Sequence, residues 1–397
     1  MSSMSLGPIF PQELLDAIVG HMNLEEYLKT LKSCSLVASI LRYSSQRILL
    51  SRLNLQRHDY SSVAEHFADS PHCAGYVTTL VIGKEELRCV DWGGAQADTL
   101  AEVLSQLHQV QKCQLGGGLM MEGPAIHPLF QDFLSRQPLR ELDLRSVNIP
   151  ASLLLSFMKS LPTISVDRAS VADDDATAAS PVVGVPTTAL TTLTVYSEQV
   201  GEFLLQPQSV PFLAKLQHLA IEPSGRRWPA ALITAASSTL QHIEFMCQYL
   251  DSPLVQSEFP RLTALRVLEF FLSDLASVSR TSVTILGAIR TLAALVLPQM
   301  CPALEEVVIK RRFQSDWEGG DRPYVYLSTL LDAMLAAYPT PPRATWSLVM
   351  ERGSPTVFDA FANAVRAGMP KAKESGRLSL RGQVSSGPQA TKRPFPL

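Results

Sequence analysis

The chain repeats a short pattern in which an apolar residue is followed, three and five positions later, by two more. Apolar residues two positions apart are typical of a short strand that buries one face. Nine copies have this form: Val77-Leu80-Ile82, Val110-Cys113-Leu115, Leu139-Leu142-Leu144, Leu161-Ile164-Val166, Leu190-Leu193-Val195, Leu216-Leu219-Ile221, Leu240-Ile243-Phe245, Leu265-Leu268-Phe270 and Leu304-Val307-Ile309. The pattern therefore predicts nine strands, each with one buried and one exposed face.

The copies are close to regularly spaced, with starts 33, 29, 22, 29, 26, 24, 25 and 39 residues apart. Two weaker copies follow at Trp346-Leu348-Met350 and Leu378-Leu380. Apolar residues at helical spacing predict helices that return the chain between strands: Leu100, Val103, Leu104 and Leu107; Leu153, Leu154, Phe157 and Met158; Leu327, Leu330, Leu331 and Leu335; Val357, Phe358, Phe361 and Val365. Because one such unit cannot bury its own apolar edge, we expect neighbouring units to stack with parallel strands.

One copy is similar to a known repeat family. The segment Leu139-Arg-Glu-Leu-Asp-Leu-Arg-Ser-Val-Asn-Ile149 resembles the leucine-rich repeat consensus, with Asn148 one position from the family's asparagine. The middle spacings also lie within or near the 20–29 residues of that family. The resemblance implies an α/β fold in which an irregular leucine-rich-repeat solenoid carries a parallel sheet.

Three short amphipathic segments precede the first copy. Pro11 suits the first position of a helix, and Asn23 is a candidate N-cap of the second helix. The apolar positions are Leu14, Leu15, Ile18 and Val19 in the first segment, Leu24, Tyr27, Leu28 and Leu31 in the second, and Leu36, Val37, Ile40 and Leu41 in the third, which spans Ser33–Leu41. Helices this short need a partner or the following domain to complete a core.

Two stretches of this region resemble the F-box-like module of fungal F-box proteins. Pro11-Gln-Glu-Leu-Leu-Asp-Ala-Ile18 is similar to that family's LPxELLxxI opening, and Leu28-Lys-Thr-Leu-Lys-Ser-Cys-Ser-Leu-Val37 contains its LxxCSLV segment. The family's leading leucine is Phe10 here, and its closing aromatic is Leu41. The resemblance implies a three-helix module over about residues 1–55.

Membership of that family would imply docking on the Skp-type adaptor of a cullin-based ubiquitin ligase. Apolar anchors in a helix-to-helix interface would make that contact. The expected adaptor-binding residues are Pro11, Leu14, Leu15, Ile18, Leu36 and Val37. The alternative is that all six are internal core residues of a small bundle.

Composition and motifs predict binding rather than catalysis. The formal net charge is −3, which gives no general attraction to nucleic acid or to an acidic membrane surface. No GxGxxG, Walker A, HExxH or GxSxG pattern occurs, so we expect no catalytic residue, no cofactor and no metal. Six cysteines are scattered singly, as expected of small buried residues in a reducing compartment.

His218 and His242 occupy the same position in successive copies, in Leu-Gln-His-Leu and Leu-Gln-His-Ile. Stacked units would place these histidines on adjacent parallel strands about 4.8 Å apart. Both would point to the exposed face, with Glu244 two residues along. A metal site or a pH-sensitive contact would be possible there, and an ordinary polar ladder is the preferred interpretation.

The alternation predicts which strand residues face solvent, and we expect this face to bind a folded protein, one that could carry a basic patch. The candidate target-binding residues are Glu141, Asp143, Arg145, Tyr196, His218, His242, Glu244, Glu269 and Phe271, with Thr194, Glu222, Glu306 and Lys310 on the same face. Parallel strands about 4.8 Å apart would make it roughly 40–50 Å long, too extended for a small molecule.

The regular pattern is interrupted at three places. We expect a surface insertion at about 171–186, a loop at about 311–324 and a disordered tail at 384–397, so the repeat region would be 56–383. No signal peptide or membrane span is predicted, which favours the cytoplasm or nucleus. Two functions fit: a substrate receptor of an SCF-type ubiquitin ligase, or a repeat scaffold whose first helices only cap the solenoid.

Overall fold

The protein is described by a computed structural model and is a mixed α/β chain. The described residues are 12–22, 24–37, 39–55, 60–83, 87, 95–116, 124–172, 189–222, 228–247, 259–273, 289–313, 322–350, 355–384 and 393–394. The chain divides into two compact units, Met1–Ile149 and Pro150–Leu397, and each unit is considered by itself.

The first unit begins with three helices and continues into a parallel sheet. Its helices are α1 (Gln12–Gly20), α2 (Leu24–Val37), α3 (Ser39–Leu49), α4 (Tyr60–Asp69), α5 (Pro71–Ala74), α6 (Ala95–Gln106) and α7 (Pro128–Arg136). Its strands are β1 (Arg52–Asn54), β2 (Thr79–Ile82), β3 (Lys112–Gly116) and β4 (Glu141–Arg145). Each of these strands pairs in parallel with the next one along the chain.

The second unit repeats the alternation of strands and helices. The strand β5 (Asn148–Pro150) lies where the two ranges join. The following strands are β6 (Thr163–Asp167), β7 (Ser170–Ala172), β8 (Thr192–Val195), β9 (His218–Ile221), β10 (His242–Cys247), β11 (Val267–Ser273), β12 (Glu306–Phe313), β13 (Arg343–Met350), β14 (Leu378–Val384) and β15 (Arg393–Pro394). The helices include α8 (Ala151–Ser160), α9 (Glu198–Leu204), α10 (Trp228–Ala235), α11 (Arg322–Leu335), α12 (Pro355–Gly368) and α13 (Pro370–Glu374). Residues 289–295 are also helical, and Val210–Lys215 is a 3-10 helix.

Eight strands of the second unit form one parallel sheet in the order β6, β8, β9, β10, β11, β12, β13 and β14. The strand β15 pairs antiparallel with the end of β14. The register aligns inward-facing apolar residues into continuous rows, because Ile243 pairs with Leu268 and Leu268 pairs with Val307. Side-chain packing along these rows holds the strands against one another.

Every residue of the nine predicted apolar triplets is buried. Each triplet has its last two residues in a parallel strand and its first residue just before that strand. The weaker copies lie on β13 and β14. The predicted return helices correspond to α6, α8, α11 and α12. The period-2 pattern therefore predicted eleven of the strands correctly, including those of the two weaker copies, and did not predict the short strands β1, β5, β7 and β15.

Several boundaries differ from the sequence expectations. The helix α2 runs to Val37 and α3 begins at Ser39, so the predicted third segment belongs partly to each helix. The strand β1 follows α3 directly and pairs with β2, and the first three helices belong to the same compact unit as β1–β4.

The structure describes only short parts of the three predicted irregular stretches. The strand β7 includes the first two residues of the expected insertion, and β12 continues to Phe313 into the expected loop. The helix α11 begins at Arg322, before that loop was expected to end. In the tail, Arg393 and Pro394 pair with Gln383–Val384. The remaining parts of these stretches, including Asp173–Asp175, lie outside the described residues.

A glycine allows two helices of the second unit to approach closely. A β-carbon added at Gly201 of α9 would lie 2.4 Å from Cε3 and 2.6 Å from Cδ2 of Trp228, the first residue of α10. Gly201→Ala should therefore lower the free energy of unfolding by about 1–3 kcal/mol, the usual cost of overpacking a core. The measurement is urea unfolding followed by circular dichroism.

Gly20 provides the matched control for that substitution. It ends α1, and an added β-carbon there would meet nothing within 4 Å. Gly20→Ala should leave the unfolding midpoint nearly unchanged. Equal effects of the two substitutions would contradict the close helix contact at Gly201.

Candidate functional site

The three N-terminal helices expose an unusual amount of apolar surface. Of the described part of the chain, the large apolar side chains that are exposed are Leu14, Ile18, Tyr27, Leu28, Leu36, Tyr43 and Tyr326. All except Tyr326 lie on α1, α2 or α3. Clustered exposed apolar residues on a protein surface mark interaction sites. We call Leu14, Ile18, Tyr27, Leu28 and Leu36 the helical apolar surface.

The sequence had assigned several of these residues to adaptor binding. Leu14 is 46% exposed, Ile18 is 50% exposed and Leu36 is 79% exposed, so these three are not internal core residues. Leu15 is half-buried. Pro11 and the side chain of Val37 lie outside what the structure describes. The sequence did not predict that Tyr27 and Leu28 are exposed, because apolar residues at helical spacing usually form a buried face.

The amphipathic pattern of α1 explains which of its residues turn inward. Leu14 and Ile18 are four residues apart and share one stripe of the helix, whereas Leu15 and Val19 share the neighbouring stripe. Val19 is buried, and Leu31 of α2 is buried as well. The sequence predicted one apolar face on α1, but the helix has two apolar stripes. Only the stripe of Leu15 and Val19 is turned toward the interior.

Polar contacts fix α1 against α3. The Ser44 hydroxyl donates a hydrogen bond to the Asp16 carboxylate, and Gln12 Nε2 donates to Asp16 Oδ1 at 2.7 Å. These two hydrogen bonds lower the pKa of Asp16, the one from Ser44 most strongly. Gln12 Nε2 also donates to the Ile40 carbonyl oxygen at 3.0 Å. The helical apolar surface is thus displayed by helices whose packing is already fixed.

A second surface lies on the outward face of the second unit's sheet. His218 and His242 are direct register partners on β9 and β10, and their ring centroids are 5.4 Å apart. The predicted pairing of the two histidines is confirmed. Within the described residues, no group of three or more His, Cys, Asp and Glu side chains is arranged to hold a metal ion.

Glu269 is the buried centre of this face, which corrects the expectation that it points to solvent. The residue is only 5% exposed. Lys310 forms an ion pair with it from β12, and His242 Nε2 lies 3.8 Å from Glu269 Oε2. Burial lowers the pKa of His242, and the charge of Glu269 partly opposes that shift. Glu269 is therefore paired with Lys310 inside the sheet rather than presented to a partner.

Two other carboxylates on this face are less well compensated. Burial raises the pKa of Glu244, and the nearby charge of Glu269 raises it further. Burial also raises the pKa of Glu222, with a further contribution from Asp167. No hydrogen bond or ion pair to either side chain occurs among the residues that the structure describes. Both carboxylates are half-buried and are held near like charges.

Tyr196 lies beside these carboxylates. Burial raises the pKa of its phenol, and the charges of Glu244, Asp167 and Glu222 add to the shift. Asp167, Tyr196 and Glu222 each follow the last inward-facing residue of their strand. Asp167 was missed as a member of this face, although that shared position was visible in the sequence. We call Asp167, Tyr196, Glu222, Glu244 and Glu269 the acidic face.

Phe271 belongs to the same outward face. It pairs in register with Met246 on one side and Lys310 on the other, and it is half-buried. Thr194 and Glu306 are likewise half-buried. The Thr345 hydroxyl donates a hydrogen bond to Glu306 Oε1 at 2.6 Å, so this carboxylate, unlike Glu222 and Glu244, has a partner within the protein.

The three candidates on β4 belong to the first unit. Asp143 is only 7% exposed, whereas the sequence predicted that it faces solvent. Arg145 donates to Asp143 Oδ2 from Nε at 3.0 Å and from Nη2 at 2.7 Å. Glu141 forms an ion pair with Lys112 of β3. Arg145 is exposed. These charges are paired within the sheet. They are therefore less available to a binding partner than the carboxylates of the acidic face.

Two surface cavities near the start of β11–β14 have volumes of about 310 and 380 Å³. The acid that lines both of them, Glu305, has its Oε1 3.1 Å from Arg266 Nη1. In addition, Glu306 accepts from Thr345. The charged groups of these cavities are therefore largely satisfied within the protein.

The cysteines that the structure describes are free thiols. Cys73, Cys113, Cys247 and Cys301 are buried, and Cys34 is half-buried. Burial raises the pKa of each of the four buried thiols, which disfavours the reactive thiolate. These four behave as the small buried residues that the sequence predicted. Cys89 lies outside the described residues.

Comparison with known proteins adds no relative. The chain matches no model of a known protein family, and a search of curated proteins finds no similar sequence. Among the described helices, none combines the length and the apolar character needed to cross a membrane.

The charges of the acidic face give a pH-dependent prediction. At pH 7 the double variant Glu222→Gln and Glu244→Gln should be more stable than the wild type, because it removes two charges held near Asp167 and Glu269. A raised carboxyl pKa in the folded protein means that protonation stabilises the fold. The stability of the wild type should therefore approach that of the variant as the pH falls through the raised pKa values of Glu222 and Glu244.

The measurement is urea unfolding at a series of pH values from 7 to 4. The difference between the variant and the wild type should vanish below the ordinary glutamate pKa, where both proteins carry a neutral group at each position. A double variant that is less stable than the wild type at pH 7 would contradict the assigned electrostatics.

Proposed function

We propose that the chain is a non-catalytic substrate receptor of an SCF-type ubiquitin ligase. Its F-box-like helices α1–α3 would bind a Skp-type adaptor. The outward face of its leucine-rich-repeat-like sheet would bind a protein target. The receptor would act by proximity, since it raises the local concentration of the target near the transfer machinery.

The observation that carries the proposal is the exposure of Leu14, Ile18 and Leu36. The sequence resemblance alone assigns these residues to the adaptor contact, and it carries no information on their exposure. The competing function is a repeat scaffold in which the same helices only cover the end of a solenoid. Residues with that role would be buried against the sheet, so exposure of all three supports docking instead.

The arrangement of polar contacts also supports docking. The hydrogen bonds of Asp16 and Gln12 hold α1 on α3 without using Leu14 or Ile18. A surface displayed by already packed helices loses little conformational freedom on binding, which favours affinity. Apolar anchors on neighbouring helices are a usual way to engage another helical protein.

The direct test is binding of the full chain to a purified Skp-type adaptor, measured by calorimetry. The double variant Ile18→Gln and Leu36→Gln should weaken binding at least about tenfold, because loss of each anchor typically costs more than 1 kcal/mol. Glutamine is a good helix former, and both side chains are at least half exposed. The fold should therefore be retained.

Tyr326→Gln is the matched control, because Tyr326 is an equally exposed apolar residue on α11. It should bind the adaptor like the wild type. A wild-type chain that does not bind the adaptor would refute the receptor function and favour the scaffold. Adaptor binding that survives the double variant would refute the assigned surface.

A further inference from the structure

We propose that the acidic face of the second unit binds a lysine- and arginine-rich segment of a partner protein. The inference rests on the proposed function in one respect, since it gives the chemistry of the target that the sheet would recruit. The residues that would make the contact are Glu222, which directly follows β9, and Glu244, on β10. Tyr196, directly after β8, lies between them and Asp167, at the end of β6.

In the described part of the chain, two cations lie near these acceptors, and each is paired with another acid. Lys310 forms its ion pair with Glu269 and offsets only part of the pKa shift of Glu244. Arg168 Nε lies 3.8 Å from Asp167 Oδ1 and offsets only part of the repulsion at Glu222. Among the residues that the structure describes, none forms a hydrogen bond or an ion pair with the side chain of Glu222 or Glu244.

The carboxylates of Glu222 and Glu244 are half-buried rather than fully solvated. A carboxylate that has lost part of its hydration and has gained no partner is in an unfavourable state. A guanidinium or ammonium group from outside the chain would remove that penalty by forming a charge-assisted hydrogen bond. Glu222 and Glu244 are thus two hydrogen-bond acceptors that can bind a cationic group.

The surroundings of these carboxylates fit a peptide side chain better than a free metal ion. Tyr196 offers an aromatic ring beside Glu222 and Glu244, and an arginine or lysine can stack on such a ring. Met246 and Phe271 are register partners on the same outward face. They provide apolar contact for the aliphatic stem of a long cationic side chain.

The direction of the charge also excludes other macromolecules as the favoured partner. Asp167, Glu222 and Glu244 would repel the phosphates of nucleic acid or of an anionic lipid surface. Neighbouring strands lie about 4.8 Å apart. A chain that crosses the sheet would therefore meet acids on successive strands, which suits a segment with several cationic residues.

The inference also predicts how binding responds to pH. The groups that face the two acceptors are Tyr196, Asp167, Arg168, Glu269 and Lys310, and His242 and His218 lie on the flank. Burial raises the pKa of Glu222 and of Glu244, so a lower pH protonates these carboxylates more readily than ordinary glutamates. Protonation removes the negative charge that would attract a cationic partner, so affinity should fall as the pH is lowered from 7 to 5.

The experiment uses the full chain and two fluorescent twelve-residue peptides, one that alternates Lys or Arg with Ser and one with Glu at the cationic positions. Fluorescence anisotropy at low and moderate salt gives the affinities. The cationic peptide should bind and the acidic peptide should not. The double variant Glu222→Gln and Glu244→Gln should weaken the cationic peptide about fivefold.

The control is the double variant Asp359→Asn and Glu374→Gln, which changes the net charge equally. These acids are exposed on α12 and α13, outside the sheet face. The control should bind the cationic peptide like the wild type. An equal loss in both variants would show general charge attraction and overturn the inference, as would a wild-type chain that does not bind the cationic peptide.

The adaptor measurement separates this inference from the proposed function. The Glu222 and Glu244 variant should bind the adaptor normally, because the helical apolar surface is unchanged. A wild-type chain that binds the cationic peptide through these acids but not the adaptor would overturn the receptor function alone. A chain that binds the adaptor but not the peptide would overturn the acidic face as the target site.

Discussion

The inward-facing apolar rows of the parallel sheets are the interaction on which the rest of the structure depends. In the second unit, Phe245 pairs in register with Phe270, and Phe270 pairs with Ile309. Because side chains alternate between the two faces of a strand, burial of these residues leaves the neighbouring positions outward. The same register that builds the core therefore brings Glu244 beside Glu269. The core and the acidic face are two consequences of one alignment.

The sequence predicted the strands because period 2 is a local property of the chain. The inward triplets and the pairing of His218 with His242 needed only the spacing of the copies. Burial of Glu269 could not be predicted in this way, because it depends on Lys310, a side chain 41 residues away in the sequence and one strand away in the sheet. The strand β1 was missed because its three residues carry one large apolar side chain. Exposure of Leu36 depends on helix packing, which a pattern of apolar residues does not specify.

The two surfaces differ in the chemistry that they offer. The helical apolar surface presents leucine and isoleucine side chains on helices held by polar contacts, which suits an apolar helical partner. The acidic face presents two carboxylates that have no hydrogen bond or ion pair with any residue the structure describes, and a tyrosine lies beside them, which suits a cationic segment. A chain that carries two unlike surfaces can hold two unlike proteins, and this property is what a substrate receptor requires. The paired charges of Glu141, Asp143 and Arg145 contribute to the sheet of the first unit instead.

The register-aligned apolar rows should form the most stable part of the molecule. Hydrogen–deuterium exchange of the full chain, read by mass spectrometry, measures this stability region by region. Peptides from β9 to β13 should exchange slowly and together, and peptides from α1 and α2 should exchange faster. Exchange of β9 to β13 as fast as that of the N-terminal helices would show that the apolar rows do not hold the fold together.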